Sequence, residues 1–276
     1  MAGIIILRGG GDLSSGVALR LARAGLKVVI TELPQPLAVR RGASFAQAVY
    51  SGEVGIEGVT ARRVENIAQA LQGMEQGFLP VLVDPRVESR QSLNPIVLID
   101  GRMTKHAPDL GMDSAPLVIG LGPGFDAGVN CHAVIETRRG ADLGRVIWQG
   151  MAEADTGLPD RVASWQAERV LRASDNGVLK TFAEIGDHLV TGQVVAEVNG
   201  QAVRTVFDGV LRGLLFPGLP VARGMKIGDV DPRGDPRLCW IVSDKALAIA
   251  GGVMEAILSR MELRAHLWDN PAYAAR

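Results

Sequence analysis

Ile4, Ile5, Ile6 and Leu7 form an unbroken apolar run, the pattern of a parallel strand buried on both faces. Val17, Leu19, Leu21 and Ala22 continue with the mixed spacing of a helix, and Gly25 predicts its end. Val28, Val29 and Ile30 then lead to Glu32, so strand, glycine turn, helix and strand follow within about thirty residues, as in a βαβ unit. Residues 33 to 44 read as loop, because two prolines and the pair Arg40 and Arg41 interrupt any period. Helical patterning returns at Phe45 to Tyr50 and at Ala61 to Leu71. Phe78 to Val83, Ile96 to Ile99 and Leu117 to Ile119 predict further sheet strands, and Asp84 and Asp100 fall just past two of them, at the edge where open parallel sheets bind ligands. The third run enters the glycine turn "GLGPGFDAG", and "CHAVIET" at 131 to 137 alternates like a strand.

The second half of the chain contains an internal repeat. "NGVL" at 176 recurs as "DGVL" at 208, and "GDHLVTG" at 186 aligns with "GLPVARG" at 218, both offset by 32 residues. Short apolar runs follow each copy, at Val194 to Val198 and Ile227 to Val230. Two such copies cannot bury their faces alone, so they are expected to interlock as a small two-fold β-sandwich. The pattern resembles the barrel-sandwich of biotinyl and lipoyl carrier domains, but no lysine lies between residues 181 and 225, which argues against attached lipoate or biotin. A docking or scaffolding role is expected instead. Beyond the repeat, a helix capped by Ser243 or Asp244 should pack Leu247, Ala248, Val253, Met254, Ile257 and Leu258 on the first domain, with 261–276 as a loose tail.

These patterns predict an α/β protein: a Rossmann-like parallel-sheet domain at 1–167, an inserted small all-β barrel-sandwich domain at 168–232, and a strand and helix at 233–276 that return to the first domain. The length of 276 residues suits about two domains. The net charge of −1 gives no electrostatic reason to expect nucleic acid or an anionic membrane as partner. No apolar run approaches the roughly 18 residues that span a bilayer, and no leader pattern is evident, so a cytoplasmic protein is expected.

Candidate chemistry centres on the first glycine run. A dinucleotide fingerprint needs one glycine for the turn, a second for close backbone approach and a third for helix packing, with an acid about 20 residues on. Gly9 and Gly11 fill the first two places, Ser14 is small enough for the third, and Glu32 is the acid. With Gly10 and Asp12 they would present helix N–H groups to a phosphate, facing a cleft completed by Gly120, Gly122 and Gly124. The alternative is a tight turn without a ligand. Arg40 and Arg41 could pair with a phosphate or with a pterin-phosphate tail, or form a solvated loop pair. Cys239, near Arg233, Arg237 and Lys245, is the better sulfur candidate of two unpaired cysteines, against the alternative of a buried hydrophobe. Asp229, Asp231 and Asp244 suggest either a polar ligand or loop capping. His106, His132, His188 and His266 share no metal-ligand spacing, and no nucleophile elbow, Walker A loop or HExxH occurs.

The segments "RGGGDLSSGVALRLARAG", "TELPQPLAVRR", "SFAQAVYSGE", "GLGPGF", "VIETRRGADLGRVI", "KIGDVDPR" and "SDKALAIAGGVMEAIL", in this order across roughly residues 4 to 260, together resemble the YqeB-type accessory proteins of selenium-dependent molybdenum hydroxylases. The resemblance implies a factor that helps mature a xanthine-dehydrogenase-like client enzyme carrying labile selenium at its molybdenum centre. It implies no particular reaction and carries over no catalytic residues, and Cys131 stands where the pattern lacks a cysteine. Three functions follow as expectations: a maturation factor that binds a nucleotide or the molybdenum cofactor and contacts its client through the β-domain, an oxidoreductase using NAD(P) or FAD to supply reduced selenium or sulfur, and a non-catalytic scaffold.

Overall fold

The computed structural model describes residues 2–104, 106–154, 162 and 165–269. The chain divides into two compact units, one of residues 1–36, 45–155 and 242–276 and one of residues 37–44 and 156–241. The second unit is thus an insertion that also takes in the short segment 37–44, and its limits differ from the expected breaks at 167 and 232.

The first unit begins as its apolar runs dictate: β1 (Ile4–Arg8), α1 (Asp12–Arg23) and β2 (Lys27–Glu32), with β1 and β2 parallel. Next come α2 (Ala48–Ser51), β3 (Glu53–Ile56), β4 (Val59–Val64), α3 (Ile67–Glu75), β5 (Leu79–Val83), α4 (Arg90–Leu93), β6 (Val97–Asp100) and β7 (Leu117–Leu121). The helix expected over 61–71 therefore begins only at Ile67, where Asn66 accepts from the Gln69 amide; residues 61 to 64 belong to a strand. Short strands β8 (Asp126–Ala127), β9 (Ala133–Ile135), β10 (Val146–Ile147) and β11 (Gly150–Met151) follow, and α5 (Asp244–Leu258) and α6 (Met261–Arg264) close the unit.

Nine of these strands form one sheet in the order β10-β9-β7-β6-β1-β2-β5-β4-β3. Successive side chains alternate between its faces. Ile5, Leu7, Val28 and Ile30 pack under α1 and α5, whereas Ile6, Val29, Leu98 and Val118 face Phe125, Val87 and Leu93. The buried face of α5 consists of Ala246, Ile249, Ala250, Gly252, Val253, Ala256 and Ile257; Leu258, expected on it, is exposed. The stretch expected to be a loose tail is anchored through residue 269, since Leu263 and Leu267 are buried and the Trp268 indole donates to Ala24 O.

The expected Rossmann-like parallel-sheet domain is corrected by this topology. The sheet is mixed, with antiparallel strands at both edges, because Glu57 and Gly58 turn β3 back onto β4 with positive φ at both positions, and the 136–145 loop turns β9 onto β10. Among the described residues, the connection from β6 to β7 holds only a single 3-10 turn, and that from β7 to β9 holds no helix. Apolar runs disclose the strands but not the sense in which each one pairs.

The second unit contains β12 (Val170–Arg172), β13 (Gly177–Thr181), β14 (His188–Leu189), β15 (Val194–Val198), β16 (Gln201–Arg204), β17 (Gly209–Leu214), β18 (Pro220–Val221) and β19 (Lys226–Asp231). They form two four-stranded antiparallel sheets, β12-β19-β17-β14 and β16-β15-β13-β18. Each copy of the repeat lends a strand to the other: β14 pairs with β17, and β18 with β13. This pair of mixed-origin sheets, extended by Val39, whose carbonyl accepts from the Leu214 amide, replaces the expected biotinyl- or lipoyl-like barrel-sandwich.

Candidate functional site at the carboxyl edge of the large sheet

In the large sheet β1 lies between β2 and β6, so the chain leaves β1 toward one side and later returns to its other side. Open α/β sheets place ligands in the crevice at such a reversal, beyond the carboxyl ends of the strands. Here those ends are Arg8 of β1 and Asp100 of β6, which face each other in register. Both side chains are buried, and the Arg8 guanidinium lies 3.6 Å from the Asp100 carboxylate.

Four charged groups meet there. Arg8 directs both terminal nitrogens at the Asp109 carboxylate, at 2.6 and 2.8 Å, and donates also to Pro85 O at 2.7 Å. Arg102 grips Asp100 through its Nε and terminal nitrogen and donates to the same Asp109 at 2.7 Å. The hydrogen bond from Arg8, more than any other contact, holds the Asp109 carboxyl far below the usual carboxylate range, with Arg102 reinforcing it. Asp100 and Arg8 are almost fully enclosed, but the Asp109 side chain is 56% exposed. The buried Nε of Arg8 and the buried hydroxyl of Thr31 have no hydrogen-bond partner among the described residues. Arg8, Arg102 and Asp109 escaped the sequence analysis. The available signal was a charge ending each of two apolar strands, "IIILR" and "IVLID", followed by "GR" after the second.

The glycine run itself is closed by the protein. Gly9 takes a positive φ of 88°, and a Cβ on Gly10 would stand 2.9 Å from the Ala46 amide nitrogen. The Gly10 carbonyl accepts from the Ala46 amide and the Ser15 hydroxyl. Its own N–H donates to Glu32 Oε1 at 2.6 Å, while Glu32 Oε2 accepts from the Leu33 amide at 2.8 Å. Glu32 is 8% exposed, and burial raises its pKa against the pull of the two amides. The acid that a ribose would need is therefore spent on the turn. Gly11 and Asp12 open α1 at the same corner, and nothing crowds Gly11. Ser14 reaches Gly101 O at 3.2 Å, which sets the helix start against the end of β6.

The second glycine turn is packed as well. Gly120 leaves room for the Phe125 ring, and Gly122 and Gly124, both at positive φ, lie against Met103 and the carbonyls of Thr104 and His106. Because β6 lies between β1 and β7, the two turns do not face each other across one cleft; the segment that follows β6 comes between them. Along the same edge, an open pocket of about 710 Å³ lies past β4 and β5, with Glu65, Asp84 and Glu88 in its lining. Its acidic wall does not suit an anion.

The remaining candidates belong to the second unit. Arg40 is buried and donates to Leu238 O and Ile241 O, and Arg41 donates to Leu214 O and lies over the Phe216 ring, so neither is a solvated loop cation. Cys239 ends a 3-10 turn instead of preceding a strand; its fully buried thiol contacts Leu211 O, and burial raises its pKa. Asp229 and Asp231 are buried partners of Arg169, Arg212 and Arg233. In the first unit, Asp244 is paired with Arg139 and the Cys131 thiol is pushed up to about 11 by burial. Among the described residues no three His, Cys, Asp or Glu side chains converge as metal ligands, and no helix is long and apolar enough to cross a membrane.

No family model matches the chain. Among solved structures it is similar to a succinylglutamate desuccinylase/aspartoacylase from Rhodobacter sphaeroides, at 15% identity and a TM-score of 0.25 with 83% of this chain and 85% of that one covered. It is also similar to an aspartoacylase family protein from Mesorhizobium loti, at 10% identity and a TM-score of 0.27 with 82% and 84% covered. At such scores these likenesses assign neither fold nor chemistry. In sequence the chain is 44% identical over 258 residues to the uncharacterized protein YqeB of Escherichia coli, a match covering 94% of this chain and 48% of that protein. The chain spans about half the length of this curated relative, and it is similar to that part of it from end to end.

Proposed function

We propose that the chain is an accessory protein in the maturation of a selenium-dependent molybdenum hydroxylase, and that it holds an anionic small molecule at the carboxyl edge between β1 and β6. The observation that carries the second part is the convergence of Arg8 and Arg102 on one carboxylate at the point where the strand order reverses. Guanidinium groups suit phosphates because their fixed N–H donors match two oxygens at once. A nucleotide or the molybdenum cofactor carries such a phosphate, and Arg8 and Arg102 are the residues that would hold it. The hydroxylase part rests on the ordered segments that resemble the accessory family. The commitment of both Glu32 oxygens to backbone amides favours this reading over a dinucleotide oxidoreductase, which would turn that acid toward a ribose.

The test has two arms. Thermal-shift titration with NAD, NADP, FAD and purified molybdenum cofactor should raise the melting temperature with the cofactor and not with the dinucleotides, since a ligand of the native state stabilises it by mass action. Co-purification with a molybdenum hydroxylase lacking its cofactor should retain the client. A shift with NAD(P) together with turnover would replace this reading by the oxidoreductase one, and failure of both arms would leave it without support.

A further inference from the structure

We infer that the Asp109 carboxylate is an internal occupant of an anion site formed by Arg8 and Arg102, and that a phosphate-bearing ligand binds by displacing it; this rests on the reading just proposed. Three observations carry it. Asp109 reaches the cluster from outside the sheet and remains largely exposed, whereas Arg8, one of the two arginines it contacts, is 3% exposed. A carboxylate offers two oxygens to the three N–H donors that Arg8 and Arg102 aim at it, and one of those oxygens is shared between the two arginines. The buried Nε–H of Arg8 has no partner among the described residues. A tetrahedral phosphate brings a third oxygen and a second negative charge to this set.

The charge balance agrees. Arg8, Arg102, Asp100 and Asp109 sum to zero, and removal of Asp109 leaves one positive charge beside a buried arginine. The pair therefore favours an anion at that position, whether it comes from the chain or from solution.

The experiment is isothermal titration of the full chain with inorganic pyrophosphate, with malonate as the dicarboxylate probe, for the wild type, Asp109→Asn and Asp109→Asn combined with Arg102→Gln, each checked for folding by circular dichroism. Pyrophosphate should bind Asp109→Asn about tenfold more tightly than the wild type, and the added Arg102→Gln should erase the gain. Stronger binding of malonate than of pyrophosphate would overturn the phosphate assignment. Equal or weaker pyrophosphate binding by Asp109→Asn, with the wild type still binding, would overturn the displacement while the anion site stands. Absence of anion binding by both folded proteins would overturn the anion site and the displacement together. If Asp109→Asn does not fold, hydrogen exchange of the wild type serves: amides around Asp109 should exchange faster with saturating pyrophosphate, and unchanged or slower exchange would refute displacement.

Discussion

Replacing Glu32 with alanine separates a structural role from a ligand-binding one. In the wild type its carboxylate accepts from the Gly10 amide at 2.6 Å and the Leu33 amide at 2.8 Å while the residue is only 8% exposed. Truncation strands the Gly10 N–H, which costs about 1–3 kcal/mol for a buried donor. Leu33 is 44% exposed, so water can take over its amide and little is added. The lost methylene contributes about 0.8 kcal/mol. Release of a carboxylate that burial disfavours offsets part of this, and a net loss of about 1–3 kcal/mol at pH 7 follows. Because the folded pKa lies above the unfolded value of about 4.3, the stability linked to this group is complete below that pH and falls as pH rises through the folded value. The difference between wild type and Glu32→Ala in urea unfolding should therefore be larger at pH 4 than at pH 7, at unchanged slope. A loss under about 0.5 kcal/mol at pH 7, or a difference that grows with pH, would show that Glu32 is not the strut of the glycine turn.

Three further outcomes are expected. Gly16→Ala should cost about 1–3 kcal/mol in the same assay, because the new Cβ would stand 2.8 Å from the Ala246 carbonyl oxygen where α1 crosses α5; a neutral effect would mean the helices separate freely. Iodoacetamide should leave Cys131 and Cys239 unmodified in the folded protein and label both in urea, since each is fully buried with a raised pKa; rapid native labelling of Cys239 would restore it as a sulfur or selenium carrier. Burial works to raise the Asp231 pKa, yet hydrogen bonds from Arg233 prevail and hold it at about 2, so its stabilisation is present above the unfolded value of about 3.9 and is lost as pH falls through about 2. Acid titration followed by circular dichroism should accordingly show a component between pH 4 and pH 2 that Asp231→Asn lacks, and its persistence in the variant would refute the assignment.

Much of the architecture was legible in the amino-acid order because the information is local. A strand buried on both faces must be apolar at every position, so Ile4 to Leu7, Val28 to Ile30 and Leu117 to Ile119 declare themselves. The cap at Ser243 is a contact of three residues, and it accepts from Ala246 as its residue type predicts. The offset of 32 residues marked the two copies that exchange strands. What tertiary structure alone decided lies between residues far apart in the chain. The antiparallel edges depend on which strand each hairpin meets, and Ala46 closing on Gly10 depends on a loop whose local pattern shows nothing of its destination. Arg8 and Asp109 are 101 residues apart, and no spacing rule links them. Burial and pairing are properties of the assembled chain: they turned Glu32 from an expected ribose ligand into a support for the glycine turn, and they brought two arginines, each unremarked in the sequence, onto a single carboxylate.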